Sequence, residues 1–173
     1  MKKFYFLSIF FILIIFNNVI AEQKIVFVDM DKVVTTSKAG NSVLKQLNTI
    51  NDKNLLLLNK KEKDFKEREV KLISQKNIIS ESEFQSKAQD LKKKINEYSK
   101  IRNKLISDFR KLKADNTKKL LKLINPILIK YSNDNNISLI LQKKDLIIGK
   151  TELDKTDEVI KIVNNEITEF KIK

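Results

Sequence analysis

Apolar residues change their spacing along this chain, and each change predicts an element. The run Lys24-Ile25-Val26-Phe27-Val28-Asp29 is continuous, β-branched and aromatic, which reads as a buried strand. Thr35-Thr36-Ser37 then offers capping hydroxyls, and a helical pattern follows from about Ser42 to Ser74. Within it Leu44, Leu58, Phe65 and Leu72 recur at heptad spacing around Asn51, with Leu47 at a second seam position. The stripe is thin, because Asn54, Lys61 and Arg68 hold the other seam. Such a helix is poorly stable alone and must lean on a partner.

The partner starts at Ile78-Ile79-Ser80-Glu81-Ser82-Glu83-Phe84. Ser80 and Glu83 have capping-box spacing, and Ile79 with Phe84 can close as a hydrophobic staple. From Phe84 the apolar positions step by four and three through Ala88, Leu91, Ile95, Tyr98, Leu105, Phe109 and Leu112, with Arg102 the one charged intruder. Leu120, Leu123, Ile124, Ile127 and Leu128 carry the face past Pro126, where a kink is expected, and Asn133-Asp134-Asn135-Asn136 ends it. Two long helices joined by a connection at 75–79 predict an antiparallel coiled-coil hairpin. Its shorter helix gives an arm of roughly 50 Å.

The last forty residues return to strands. Ile137–Gln142 and Leu146–Lys150 flank Lys143-Lys144-Asp145, a connection suited to a β-hairpin. Asp154-Lys155-Thr156-Asp157 can then cap a short helix whose face is Val159, Ile160, Val163 and Ile167. The expected fold class is α+β, mainly α. A small β body is built from 22–41 and 134–173, and the hairpin arm at 42–133, turning near 75–80, is inserted between them. Three short strands and a slender arm enclose little apolar surface and leave sheet edges open. An obligate oligomer is therefore expected, assembled through body residues Ile25, Phe27, Ile140 and Ile147.

The first 21 residues add a compartment. Lys2 and Lys3 precede an apolar run from Phe4 to Phe16, interrupted only by Ser8, and Val19-Ile20-Ala21 supplies a small-residue cleavage site. This is the pattern of a secretory signal peptide cut after Ala21, with a retained membrane anchor as the alternative. Removing Lys2 and Lys3 lowers the formal net charge from +13 to +11. A basic protein can bind nucleic acid, but an exported one meets acidic chains and anionic lipid instead.

Composition excludes most catalysis. The chain has no His and no Cys, so imidazole, thiolate and the usual zinc chemistry are absent. Neither Gly40 nor Gly149 belongs to a phosphate-cradling loop, so no nucleotide or other cofactor is expected. What remains is surface. Between Asn41 and Lys118 there are 20 Lys or Arg against 11 Asp or Glu. Lys60-Lys61, Lys92-Lys93-Lys94, and Arg110-Lys111 with Lys113 are the densest clusters, and Ile73, Ile78, Ile79 and Phe84 add apolar groups near the tip. For any one cluster the plain alternative is a solvated helix face.

The order of elements resembles the Skp/OmpH family of periplasmic chaperones. The matching residues are the signal segment, "KIVFVDMDKVV", Ser37-Lys38-Ala39-Gly40 with Leu44-Lys45-Gln46-Leu47, and "ISLILQKKDLIIGKTELDKTDEVIKIVN". The resemblance implies a homotrimer whose strands build a small β body and whose three arms enclose a cavity. It also implies ATP-independent binding of unfolded outer-membrane proteins during transit through the periplasm. The leading expectation is thus a non-enzymatic holdase. The alternative is a structural envelope protein whose basic coiled coil binds anionic lipid or lipopolysaccharide. A nucleic-acid-binding role ranks last, because it contradicts the export signal.

Overall fold

The strand run near the N-terminus forms β1, Lys24–Val28, at the centre of the body. In this computed structural model residues 23–172 are described; the expected signal segment and its cleavage site lie outside them. β1 pairs in parallel with β2, Ile137–Gln142, so that Val26 lies opposite Ile140 and Phe27 opposite Leu141. Parallel neighbours need a crossover, and here the crossover is the whole helical hairpin.

Three helices follow β1. Helix α1, Met30–Thr36, is short and starts on Asp29, whose carboxylate accepts from the Lys32 N–H at 2.8 Å. Helix α2, Lys38–Ser74, begins on Ser37, whose hydroxyl accepts from the Gly40 N–H at 3.1 Å. Helix α3, Glu81–Asp134, begins on Ser80, which accepts from the Glu83 N–H at 3.3 Å. The reciprocal half of the capping box is not made; the Glu83 carboxylate pairs with Lys87 at 2.8 Å instead. α3 runs on for two further turns past Pro126 and closes at Asn135, after which Asn136 takes a positive φ of 51°. A final helix, α4, covers Thr156–Glu166.

One sequence expectation needs correction. Leu146–Lys150 does not form the second strand of a hairpin; Lys143–Asp145 makes a 3-10 turn and the chain then leaves the sheet. The free side of β1 is taken instead by a single bridge from Phe27 to Asp154, with the Lys155 N–H donating to the Phe27 carbonyl at 2.9 Å. Between β1 and the long hairpin, α1 occupies a stretch to which the sequence pattern assigned no element.

The core sits where helix bases, β1 and α4 meet. Val26 and Val28 of β1 are buried with Val33, Val43, Leu47, Leu120, Ile124, Val159 and Val163. Burying this many aliphatic side chains, at roughly 1.5–3 kcal/mol each, is what holds the bases of α2 and α3 in the body. The C-terminal tail adds a strap: the Gln46 side chain donates to the Phe170 carbonyl at 2.6 Å and accepts from the Ile172 N–H at 3.2 Å. Beyond Leu47 the hairpin stands free of the body. The 28 residues from there to Ser74 reach about 40 Å.

Candidate functional site

The free hairpin is held together sparsely. Leu58 and Tyr98 are the buried apolar residues of its shaft, and the Tyr98 ring meets Phe65 at 5.4 Å between centroids. The Tyr98 hydroxyl donates to the Glu62 carboxylate at 2.6 Å. Burial, and then that carboxylate, push the Tyr98 phenol up to about 12. This contact fixes the level of one helix against the other. Sequence reasoning found Tyr98 in the seam but not Glu62, since their pairing depends on the vertical register of the hairpin.

The predicted cations lie along the shaft and are not gathered into one patch. Lys94 is paired with Asp90 at 2.6 Å and Lys111 with Asp115 at 2.7 Å, each one helical turn away. The hydrogen bond from Lys111, and its charge, hold the Asp115 carboxyl below its ordinary value. Lys60, Lys61, Lys92, Lys93, Arg110 and Lys113 enter no ion pair within 4.0 Å among the described residues. All of these except half-buried Lys61 are exposed. At the tip Ile73 and Ile78 are 62% and 80% exposed, while Ile79 and Phe84 are half-buried. A groove of about 540 Å³ lies below them, with Leu72 and Leu91 at its floor and Arg68, Lys71, Lys87 and Lys94 around it.

At the body end, Ile25 and Ile147 are exposed and Ile140 is half-buried. Phe27, expected at a contact between copies, is covered within its own chain. A Cβ on Gly149 would come within 2.6 Å of its ring, and the Lys143 ammonium stands 6.0 Å from the ring centroid. The exposed apolar groups there that the sequence reading did not single out are Leu139 and Ile148. Lys143 also pairs with Asp154 at 2.7 Å. Burial pushes the Asp154 carboxyl up, but Lys143 and the Thr156 hydroxyl and N–H outweigh it and hold the group at about 2.

No grouping of three or more acidic ligands fit for a metal occurs among the described residues, and no helix there is long and apolar enough to cross a membrane. The arrangement offers spread charge and apolar surface on a slender projection, which suits binding of extended chains. Fold and surface together define a small β body carrying a long helical hairpin. The chain belongs to the OmpH-like outer membrane protein family, whose profile matches residues 24–163. No curated protein sequence matches it. Its fold is shared by an OmpH-like protein from Caulobacter crescentus CB15, provisionally described as an outer membrane chaperone. The TM-score is 0.78 at 15% identity, over 87% of this chain and 89% of that one.

Proposed function

We propose that this protein is a periplasmic holdase that captures unfolded outer-membrane proteins without ATP and keeps them from aggregating. Family membership supports a chaperone role for outer-membrane proteins rather than an enzymatic one. The observation that carries the reading is the free hairpin. Lys60, Lys61, Lys92, Lys93, Arg110 and Lys113, in no ion pair among the described residues, stand on a shaft that also exposes large aliphatic side chains. Many weak contacts of both kinds attract an acidic unfolded chain quickly and release it without an energy source.

Assembly as a homotrimer through the sheet end completes the proposal. Ile25, Leu139, Ile147 and Ile148 are exposed there, Ile147 at 99%. Apolar surface of that kind on a small body calls for cover. The lipid-binding alternative finds less support. Three of the four cations around the tip groove, Arg68, Lys87 and Lys94, are already paired with Asp64, Glu83 and Asp90.

The test is aggregation. A urea-denatured outer-membrane barrel is diluted into buffer with and without the protein, in the absence of nucleotide, and turbidity is followed. Suppression at stoichiometric protein supports the holdase; unchanged turbidity at tenfold excess removes it.

A further inference from the structure

The arm's charge is not evenly spread. Residues 51–63 and 92–104 make up one third of the stretch from Asn41 to Lys118. They hold ten Lys or Arg against three Asp or Glu, so seven of its nine net positive charges fall there. These two segments face each other in the hairpin, as the contacts of Tyr98 with Leu58, Glu62 and Phe65 show.

The same level carries the run Leu55-Leu56-Leu57-Leu58. Leu58 points into the seam. At about 100° per residue, Leu55 and Leu57 fall to either side of it and Leu56 points away from the partner helix. They are 47%, 45% and 73% exposed respectively. Ile101 and Ile95 on α3, 46% and 39% exposed, stand within a few turns of the same height. The shaft is thus girdled by aliphatic groups over a height of about 15 Å, inside its most basic segment.

We infer that this mid-arm belt is the main clamp for client chain, and that it selects extended polypeptide in which apolar and acidic residues alternate. The inference rests on the holdase reading and places its binding energy at Leu55, Leu56 and Leu57 rather than at the tip. Charge selects the occupant. A second arm laid alongside at the same level would set seven net positive charges against seven more, whereas an acidic chain neutralises them. Geometry separates polypeptide from membrane. A bilayer surface takes a helix with one apolar face, while here the leucines point to three sides of α2. An extended chain can wrap such a belt, with alternate side chains meeting leucine and lysine.

The test compares Leu55→Gln/Leu56→Gln/Leu57→Gln with a control, Val70→Gln/Leu123→Gln, which removes helical apolar groups of similar exposure elsewhere. Circular dichroism and mass establish that both variants keep the fold and assembly. Binding is read by fluorescence anisotropy with two labelled peptides, one alternating valine and aspartate, the other serine and aspartate. The wild type should prefer the valine peptide by about tenfold, and the belt variant alone should lose that preference. A belt variant that keeps the preference, or a control that loses it equally, overturns the clamp. So does a belt variant that loses binding to phosphatidylglycerol vesicles while holding the peptide as before. If the wild type shows the peptide preference yet leaves the barrel to aggregate, the holdase reading falls and the belt stands.

Discussion

The Tyr98 hydroxyl reaches across the hairpin to the Glu62 carboxylate at 2.6 Å, joining residues 36 positions apart at the one well-packed level of the shaft. Tyr98→Phe keeps the ring against Phe65 and removes that bond, at a cost of about 1 kcal/mol to the arm. Tyr98→Ala removes the ring as well and should cost roughly 3 kcal/mol. Hydrogen exchange along residues 48–115 measures both, with the body amides unchanged. Equal protection in wild type and Tyr98→Ala would show that the shaft is held elsewhere.

The phenols give a titration signature. Without residues 1–21, Tyr98 and Tyr131 are the only tyrosines. Burial, then a neighbouring carboxylate, Glu62 or Glu158, raises each to about 12. A raised phenol favours the neutral form in the fold. Its contribution is therefore whole below pH 10 and lost as pH climbs from 10 through about 12. Absorbance at 295 nm should show no tyrosinate step near pH 10 until the protein is unfolded in urea. A step near 10 in the folded protein would contradict the burial of both rings.

At the acidic end the relevant group is Asp154. Its folded value of about 2 lies below the ordinary 3.8, so its contribution is present above about pH 4 and is lost as pH falls through 2. After solvent screening of a partly exposed pair, this amounts to about 1 kcal/mol. Urea midpoints at pH 7, 4 and 2.5 measure it. Asp154→Asn should be weaker than wild type at pH 7, and the difference should shrink to less than half by pH 2.5.

Gly40 tests the close approach of α1 to α2. Glycine to alanine inside a helix ordinarily stabilises by up to about 1 kcal/mol. Here a Cβ would sit 1.7 Å from the Val34 carbonyl oxygen. Gly40→Ala should instead destabilise by about 3 kcal/mol or more, read as a lowered thermal midpoint. A raised midpoint would mean that the α1–α2 junction is looser than described.

Charge reversal separates capture from assembly. Lys92→Glu/Lys93→Glu/Lys94→Glu should weaken client capture on the order of tenfold at low salt, with no change in mass. Capture unchanged at low salt would take those lysines out of the mechanism.

What the chain disclosed in advance follows local physics. The hairpin was legible because Ser80 and the change of apolar phase fall together, and the stop at Asn133–Asn136 because asparagine accepts a positive φ. β1 was legible as an uninterrupted β-branched run. Helix α1 is weakly signalled: Asp29 precedes Val33 and Val34 at helical spacing, but the capping hydroxyls of Thr35-Thr36-Ser37 point to a helix start further downstream. Leu146-Ile147-Ile148 reads as strand by propensity, but Lys143–Asp145 closes as a 3-10 turn and the chain crosses to the far side of β1, where Asp154 bridges Phe27, so it does not fold back on β2. The positions of Glu62, Gln46 and the tail at Phe170 depend on contacts 36 to 126 residues apart, which no local pattern encodes. Of the candidate surface, residue identity gave the cations. Which of them are already neutralised by a carboxylate one turn away required the structure.

The proposed function requires an assembled set of arms that holds an unfolded client in solution. Light scattering on the chain lacking residues 1–21, alone and mixed with a denatured outer-membrane barrel, tests it most directly. The expected result is the mass of three chains, rising by one barrel in a soluble complex. A monomer or dimer that leaves the barrel to precipitate would contradict it.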